Sequence, residues 1–248
     1  MSGNAICDYL EWDSQFFARR IARANISCLT GKVVVEIEAW CGLHRIDCLY
    51  FLASSTDAET ARLAQDNMFR FLDVRQTLDL HVGAVSHGDA SRFRVRTAME
   101  GDIPALRAIA RGGHRDSRFY YDGHFPHHLC DELYQTWIEK SCRGWAAKVF
   151  VAEEGGDLQG YLTCHLPNPG SGQIGLLGVA EKARGKGIGS DLVSCAVRWL
   201  AQEGVANLSV VTQGRNVRAQ RLYQRCGFTT RSVELWFHRW FSETRKSA

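Results

Sequence analysis

The sequence predicts a mixed α/β protein of the α+β type, because patterns typical of strands and of helices alternate along the chain. Three observations carry this prediction. The nearly unbroken apolar run QIGLLGVA, from residue 173, is typical of a buried central strand. A segment with apolar residues at helical spacing follows it directly. Glu154-Gly155-Gly156-Asp157, between two alternating apolar segments, indicates a β-hairpin.

The first part of the chain is predicted to hold a strand, a helix and a second strand. Residues 49–53 form an apolar run bounded by serines, which predicts a buried strand. Asp57 is a suitable N-cap for the helix that follows. The segment FLDVRQTLDLHV predicts the next strand, and the polar run at 86–91 predicts a link between two units.

The middle of the chain predicts a strand and two helices. Residues 93–97 alternate as a strand does, and Asp102 is expected to cap a helix that has Pro104 in its first turn. An aromatic loop, RDSRFYYDGHFPHH, then leads into a second helix. The apolar face of that second helix consists of Leu129, Leu133, Trp137 and Ile138.

The last part of the chain predicts five strands and two helices. The hairpin strands are KVFVAE and LQGYLTCHL, and the apolar run QIGLLGVA follows them. A long helix ends before Gly204, and the strand NLSVVTQ comes next. A short helix from Asn216 to Cys226 precedes the last strand, TTRSVELWFHRW.

Composition narrows the class of protein. The chain has 248 residues, 45% apolar and 23% charged, which is typical of a globular protein of one large or two small domains. No apolar stretch approaches the roughly 18 residues of a spanning helix, and no basic region precedes an apolar one near the N-terminus. Nine cysteines without a CxxC pair suit core packing in a reducing compartment, so we expect a cytoplasmic protein.

The net charge of +3 is unevenly distributed. Residues 1–90 carry 8 Lys/Arg and 12 Asp/Glu, whereas residues 91–248 carry 22 and 15. We therefore predict two domains, an N-terminal accessory α/β domain over 1–90 and a second domain over 91–248 that binds an anion. The basic excess is modest, so a small phosphorylated ligand is expected rather than a nucleic acid.

The most informative chemistry follows the apolar run. Residues 183–189, ARGKGIG, place three glycines two residues apart at the start of a helix. Glycines let the backbone approach a ligand closely, and N–H groups at a helix N-terminus attract an anion. The glycine spacing differs from the dinucleotide fingerprint G-x-G-x-x-G, and a P-loop requires Ser or Thr directly after Gly-Lys. The segment is therefore predicted to be an anion cradle of another kind.

Arg184-x-x-Gly187-x-Gly189 after an apolar strand resembles the acyl-CoA motif of the GCN5-related N-acetyltransferases (GNAT), and NVRAQRLYQRCGF resembles their second motif. The resemblance implies the GNAT fold, with a mixed, mostly antiparallel sheet, and acetyl-CoA as acyl donor. It also implies that a bulged strand holds the thioester. The residues implied to bind acetyl-CoA are Leu177, Gly178, Val179, Ala183, Arg184, Gly185, Lys186, Gly187, Ile188, Gly189 and Asn216.

Tyr223 lies in the second motif and is the candidate catalytic residue. When an amine attacks a thioester, the departing thiolate needs a proton. A phenol with a pKa near 10 is a workable donor to a sulfur of pKa about 8 to 9 if it lies within hydrogen-bond reach. Cys195 and Cys226 have apolar helical neighbours and are expected to be packing residues, so no acyl-enzyme is predicted.

The segment LEWDSQFF, from residue 10, resembles the opening of the dTDP-fucosamine acetyltransferase subgroup, and WFHRW at 236–240 resembles its end. The resemblance implies acetylation of a nucleotide-linked amino-deoxysugar, with dTDP as the nucleotide, for surface polysaccharide. It implies neither a nucleic acid nor a membrane as partner. A homodimer stays an open alternative.

The acceptor site is expected in the aromatic loop. Arg118, Phe119 and Tyr120 combine a cation with aromatic rings, as a nucleoside diphosphate requires, and Arg115 and Tyr121 lie beside them. His114, Asp116 and His165 are candidate bases, and a water relay is equally suitable. The histidines near this loop match no tight metal-ligand spacing, and no metal is expected.

Two other functions stay open from the sequence. One is an acetyltransferase of the same fold that acts on a peptide amine or a small-molecule amine, and an open acidic acceptor groove would favour it. The other is a non-catalytic acyl-CoA-binding module, which the presence of both the cradle and Tyr223 disfavours.

Overall fold

The computed structural model of the chain describes residues 5–84 and 93–241. The strands are β1 (Cys7–Tyr9), β2 (Ile21–Ala24), β3 (Cys48–Ser54), β4 (Arg70–His81), β5 (Arg94–Thr97), β6 (Lys148–Glu154), β7 (Asp157–Asn168), β8 (Ser171–Val179), β9 (Asn207–Gln213) and β10 (Thr229–Trp240). The helices are α1 (Glu11–Phe17), α2 (Gly31–Leu43), α3 (Ala58–Asp66), α4 (Ile103–Ala110), α5 (Arg118–Asp122), α6 (His127–Lys140), α7 (Ile188–Gln202) and α8 (Val217–Arg225).

The described strands form a single ten-stranded sheet in the order β1-β2-β3-β10-β4-β9-β8-β7-β6-β5. The β2–β3 and β8–β9 pairs are parallel and the other neighbours are antiparallel. The predicted mixed, mostly antiparallel α/β fold is therefore confirmed. β10 lies between β3 and β4, so the end of the chain joins the sheet among strands of the first 84 residues. The proposed boundary after residue 90 falls outside the described residues, and the two-domain division stays a prediction.

Helices cover both faces of the sheet. Val149 and Val151 pack in a cluster with α1, α4, α5 and α6, whereas Phe150 and Ala152 pack with α7. Successive side chains of a strand point to opposite faces, so these helix groups lie on opposite sides of the sheet. Helices α2 and α3 cover the side of β3 that Leu49 and Phe51 occupy. No helix of the described ranges is long and apolar enough to cross a membrane.

The hairpin and the helix caps test the local predictions. Gly155 and Gly156 have φ of +63° and +89°, as the tight β6–β7 turn requires, and Asp57 accepts hydrogen bonds from two N–H groups at the start of α3. These predictions are confirmed. Asp102 occupies the predicted N-cap position of α4, but its side chain does not cap the helix, because its carboxylate accepts from Met99 N and from Arg96 instead of from an N–H of α4.

Candidate active site

The strand β8 bulges and then separates from β9. Leu177 lies opposite Leu162 of β7, and Ile174 lies opposite Cys164, so β8 has one extra residue between these pairs. The parallel pairing with β9 ends at Ile174, although both strands continue. A V-shaped gap therefore opens between them. Beyond Ile174, the β8 backbone groups that face β9 have no strand partner within the described chain.

The N-terminus of α7 presents a row of unpaired N–H groups beside this gap. Within the part of the chain that the structure describes, the N–H groups of residues 185–189 have no hydrogen-bond acceptor, whereas Ser190 N and Asp191 N both donate to the Gly187 carbonyl. Gly185 and Gly187 have φ of +81° and +100°, which glycine adopts without strain. The dipole of α7 adds positive potential. The predicted geometry of an anion cradle is present.

Two cations of the cradle are held by weak contacts. Lys186 Nζ lies 3.3 Å from Glu154 Oε2, and both side chains are half-exposed. Arg184 Nε donates to the Val179 carbonyl at 3.3 Å, which ties the cradle to the end of β8. Half-exposed ion pairs contribute little to stability, so an anionic ligand can compete for Lys186.

Helix α8 packs directly against the cradle. The Asn216 side chain caps α8 by accepting a hydrogen bond from Ala219 N. A Cβ added to Gly189 would lie 3.0 Å from Leu222 Cδ2, so the glycine gives the Leu222 side chain room to pack against the start of α7. Tyr223, which follows Leu222 on α8, is 5% exposed, and burial raises the pKa of its hydroxyl. The second motif therefore lies beside the first, and the Tyr223 phenol is protonated at neutral pH.

On the other side of β8, the partly buried His114 pairs with the buried Tyr161. His114 Nε2 and the Tyr161 hydroxyl share a hydrogen bond of 2.8 Å, and the His114 ring stacks on Tyr134. Burial, helped by the charge of Arg184, lowers the pKa of His114 to about 4. A Cβ on Gly178 would lie 2.6 Å from the Tyr161 ring, so the pair rests against the β8 backbone. His114 is a neutral imidazole near the cradle.

His165, the other candidate base that reaches β8, lies at the bulge. Its Nε2 atom is 2.5 Å from where a Cβ of Gly175 would stand, so the imidazole covers this glycine. Burial lowers the pKa of His165, although a hydrogen bond with the Trp145 backbone opposes the shift. The structure thus brings His114 and His165 to two different points along β8, and either neutral ring can accept a proton.

The residues predicted to bind the acceptor are not arranged as one surface. Phe119 is 1% exposed and packs on Phe17 and Phe125, so its ring cannot stack on a ligand. The Tyr120 hydroxyl donates to Asp131 Oδ1 at 2.7 Å. These two aromatic residues serve the packing of α5 and α6, which the loop composition alone did not reveal.

Arg118 is held over three aromatic rings. Its guanidinium lies 4.2 Å from the Trp236 ring centroid, 4.3 Å from that of Phe119 and 5.1 Å from that of Tyr50. Its Nε donates to His238 Nε2 at 3.2 Å. Arg118 is therefore a partly buried cation built into the junction of α5 and β10.

Asp122 is the centre of the hydrogen-bond network at this junction. His238 Nδ1 and Trp240 Nε1 of β10 donate to it, the latter at 2.9 Å, and His124 Nδ1 lies 2.6 Å away. Burial raises the pKa of Asp122, but the hydrogen bonds and charges of His238 and His124 outweigh it, and the net shift is downward. Asp122 is therefore ionised and fully buried.

Ligand atoms of Cys48, Asp122 and His238 lie within 4.8 Å of one another, a spacing that a metal ion could use. The surroundings of these three side chains do not suit a metal ion. Arg118 places a positive charge at His238, and burial raises the pKa of Cys48, so the thiol keeps its proton. Asp122 and His238 already have protein hydrogen-bond partners, and we assign no metal to the cluster.

We expect the free energy of unfolding to fall as the pH drops from about 6.5 towards 4. Burial lowers the pKa of His238, as of His114, to about 4. In the unfolded chain the same imidazoles take up protons near pH 6.5, so between these values the unfolded state binds more protons and acid favours it. Urea unfolding at a series of pH values measures the effect. A profile that is flat over this interval would contradict it.

Sequence reasoning missed a cluster of tryptophans on the α6 side of the sheet. A cavity of about 580 Å³ is lined by Trp12, Asp13, Trp137, Lys140, Arg143 and Trp145, which we call the tryptophan groove. These residues come from α1, α6 and the turn after α6, so no local pattern connects them. The one available signal was the high tryptophan content, 7 residues in 248.

Comparison with known sequences identifies relatives along the chain. The model of the acetyltransferase (GNAT) family matches residues 113–228. The dTDP-fucosamine acetyltransferase of Escherichia coli O6:H1 is 28% identical over 96% of this chain and 100% of its own length. The spore coat polysaccharide biosynthesis protein SpsD of Bacillus subtilis is 31% identical over 92% of this chain and 81% of its own.

Solved structures share the fold. A functionally unknown conserved protein from Staphylococcus epidermidis has a TM-score of 0.72 at 14% identity, over 96% of this chain and 92% of its own. A GCN5-related N-acetyltransferase from Sphaerobacter thermophilus has a TM-score of 0.66 at 16% identity, over 94% of this chain and 76% of its own.

Proposed function

Since this chain belongs to the GNAT family and is an acetyl-CoA-dependent N-acetyltransferase, we propose that its acceptor is the amine of a nucleotide-linked amino-deoxysugar used for surface polysaccharide, with dTDP as the nucleotide. The observation that carries the proposal is the similarity to the dTDP-fucosamine acetyltransferase, which extends over both the acidic first segment and the acetyltransferase motifs. SpsD, whose name also refers to a surface polysaccharide, supports the same substrate class.

In this proposal the cradle holds the pyrophosphate of acetyl-CoA. The N–H groups of residues 185–189 donate to its oxygens, and Arg184 and Lys186 supply positive charge. Ala183 begins the cradle, and Asn216 keeps α8 in place beside it. The pantetheine chain lies in the gap between β8 and β9, and free N–H groups of the segment 177–179 hold the thioester carbonyl.

The reaction is a direct transfer. The acceptor nitrogen attacks the acetyl carbon, the carbon–sulfur bond breaks, and Tyr223 protonates the departing thiolate. The nitrogen loses a proton to a neutral imidazole, His114 or His165, or to water, and exchange with solvent restores the phenol. No covalent acyl-enzyme forms. Cys195 is half-buried and Cys226 buried, and burial raises the pKa of both thiols, which keeps them unreactive.

The charge of the tryptophan groove favours this acceptor over a peptide amine. Lys140 and Arg143 outnumber Asp13 there, whereas an open acidic groove would be expected for a basic peptide. A free-thiol release assay with acetyl-CoA and dTDP-, UDP- and GDP-linked amino sugars tests the proposal, with lysine-containing peptides as competing acceptors. Thiol release with peptides and with none of the sugar nucleotides would overturn it.

We expect Gly187→Ala to raise the KM for acetyl-CoA by about tenfold while kcat changes less. A Cβ has free space at this position, but φ of +100° is costly for alanine, by about 1–3 kcal/mol, and relief of this strain tilts the cradle N–H groups. Steady-state kinetics at saturating acceptor measures the effect. Gly101→Ala, which also has free space but no positive φ, is the matched control. Equal KM values for the two variants would exclude the cradle assignment.

A further inference from the structure

The tryptophan groove combines aromatic rings with cations. Trp12 comes from α1, Trp137 from α6 and Trp145 from the turn that follows α6. The Trp12 and Trp137 ring centroids are 6.2 Å apart, and together they form one wall. The cavity volume of about 580 Å³ lies within the range of small-molecule sites, roughly 300–1,000 Å³.

Trp145 is the ring in this groove that is free to receive a ligand. Phe16 stacks on Trp12 at 5.0 Å, and Lys140 Nζ lies 4.3 Å from the Trp12 ring centroid. Trp145, in contrast, is 58% exposed, and the ring it meets within the described ranges is His165, which it contacts edge-on at 5.3 Å. An exposed indole that lines a cavity offers a stacking face for a planar ligand.

The cations of the groove are available to an anion. Within the described chain, no carboxylate lies within ion-pair distance of Lys140. Arg143 pairs with Glu139 and Glu100, each at 3.1 Å, but its side chain is 55% exposed, and such pairs are weak. Asp13 is the one carboxylate among the lining residues, against the two cations, and burial raises its pKa. The groove therefore suits a ligand with a planar ring and negative charge.

The groove is connected to the bulge of β8, which directly precedes the segment 177–179 where the thioester is expected. The Trp145 ring contacts His165, and the His165 ring covers Gly175 at the β8 bulge. A ligand stacked on Trp145 can therefore extend along His165 to β8. The cradle lies at the other end of β8, so the acyl donor and this ligand would not compete for the same residues.

We propose that the tryptophan groove binds the nucleoside diphosphate part of the acceptor, with the base stacked on Trp145 and the diphosphate facing Lys140 and Arg143. The sugar then extends towards the bulge of β8. This inference rests on the proposed function, and it replaces the aromatic loop of Arg118, Phe119 and Tyr120 as the expected acceptor site.

Calorimetric titration of the full chain with dTDP tests the inference. We expect Trp145→Ala to weaken dTDP binding by about tenfold, because the variant loses the ring on which the base stacks. Lys140→Met should weaken binding and reduce its dependence on salt. Leu43→Ala, 80% exposed on α2, is the control for removal of an exposed apolar side chain, and it should bind as the wild type does. Inorganic pyrophosphate, which lacks a base, should bind wild type and Trp145→Ala equally.

Kinetics separate this inference from the proposed function. If the wild type acetylates a dTDP-linked amino sugar and Trp145→Ala raises only the KM for that sugar, both are supported. If acetylation occurs but the Trp145→Ala and Lys140→Met variants keep the wild-type dTDP affinity and KM, the groove assignment is overturned while the function stands. If dTDP does not bind and no sugar nucleotide is acetylated, both are overturned.

Discussion

Tyr223→Phe is expected to lower kcat by about 10²–10⁴-fold, the range typical for loss of a general acid, and to leave the KM for acetyl-CoA within a few-fold. Burial raises the pKa of the Tyr223 hydroxyl, so the phenol carries its proton at neutral pH. The same burial makes release of the proton harder, so in the proposed mechanism we expect transfer only as negative charge develops on the departing sulfur. Steady-state kinetics with the native acceptor measures the loss.

The fold should survive this substitution. Phenylalanine keeps the ring that packs 5.5 Å from Phe228. Tyr9→Phe on β1, at the far edge of the sheet, is the matched control and should keep full turnover. Wild-type turnover in Tyr223→Phe, together with an unchanged thermal unfolding midpoint, would show that another group protonates the thiolate.

Asp122→Ala is expected to reduce the free energy of unfolding by about 3–5 kcal/mol, the cost typical of removing one partner from a buried charged network. The substitution leaves the N–H donors of the buried His238 and the partly buried Trp240 without their acceptor. Urea unfolding followed by circular dichroism measures the change.

Removal of a half-exposed carboxylate is the control for Asp122→Ala. Asp8 forms a half-exposed ion pair of 3.6 Å with Arg23, so Asp8→Ala should change stability by about 1 kcal/mol or less. Asp122→Asn, which keeps one acceptor oxygen, should fall between the two. Equal stabilities of Asp122→Ala and Asp8→Ala would mean that the network does not hold α5 to β10.

The strands and helices of the second half of the chain were predictable because their signals are local. The hairpin glycines, the apolar run of β8 and the spacing of α7 each reflect contacts between residues close in sequence. Helix α2 was missed. Its first turns contain three consecutive valines, 33–35, and β-branched residues have low helix propensity. Packing of Val34 and Ile37 on the sheet outweighs that propensity.

The same difference between local signals and long-range packing applies to the candidate site. The cradle and Tyr223 could be proposed from the sequence, because a glycine-rich turn and a helix N-terminus are built from consecutive residues. For the aromatic loop, in contrast, the sequence could not show which rings are exposed and able to bind an acceptor. Phe119 and Trp145 are both aromatic residues in irregular or short segments, yet one is 1% exposed and the other 58%. Burial depends on which distant elements pack on a residue, and the sequence nearby carries little information about it.

By itself the sequence determined the class of fold, the strand and helix that form the anion cradle, the second motif with Tyr223 and the split between an acidic and a basic part. The tertiary structure alone decided that β10 inserts between β3 and β4, that Asp122 joins α5 to β10, and that Trp12 of the first part lies beside Trp137 of the second. The physical reason is the range of the interactions. Backbone geometry and helix dipoles act within a few residues, whereas strand order, burial and cavity walls arise from contacts between segments more than one hundred residues apart.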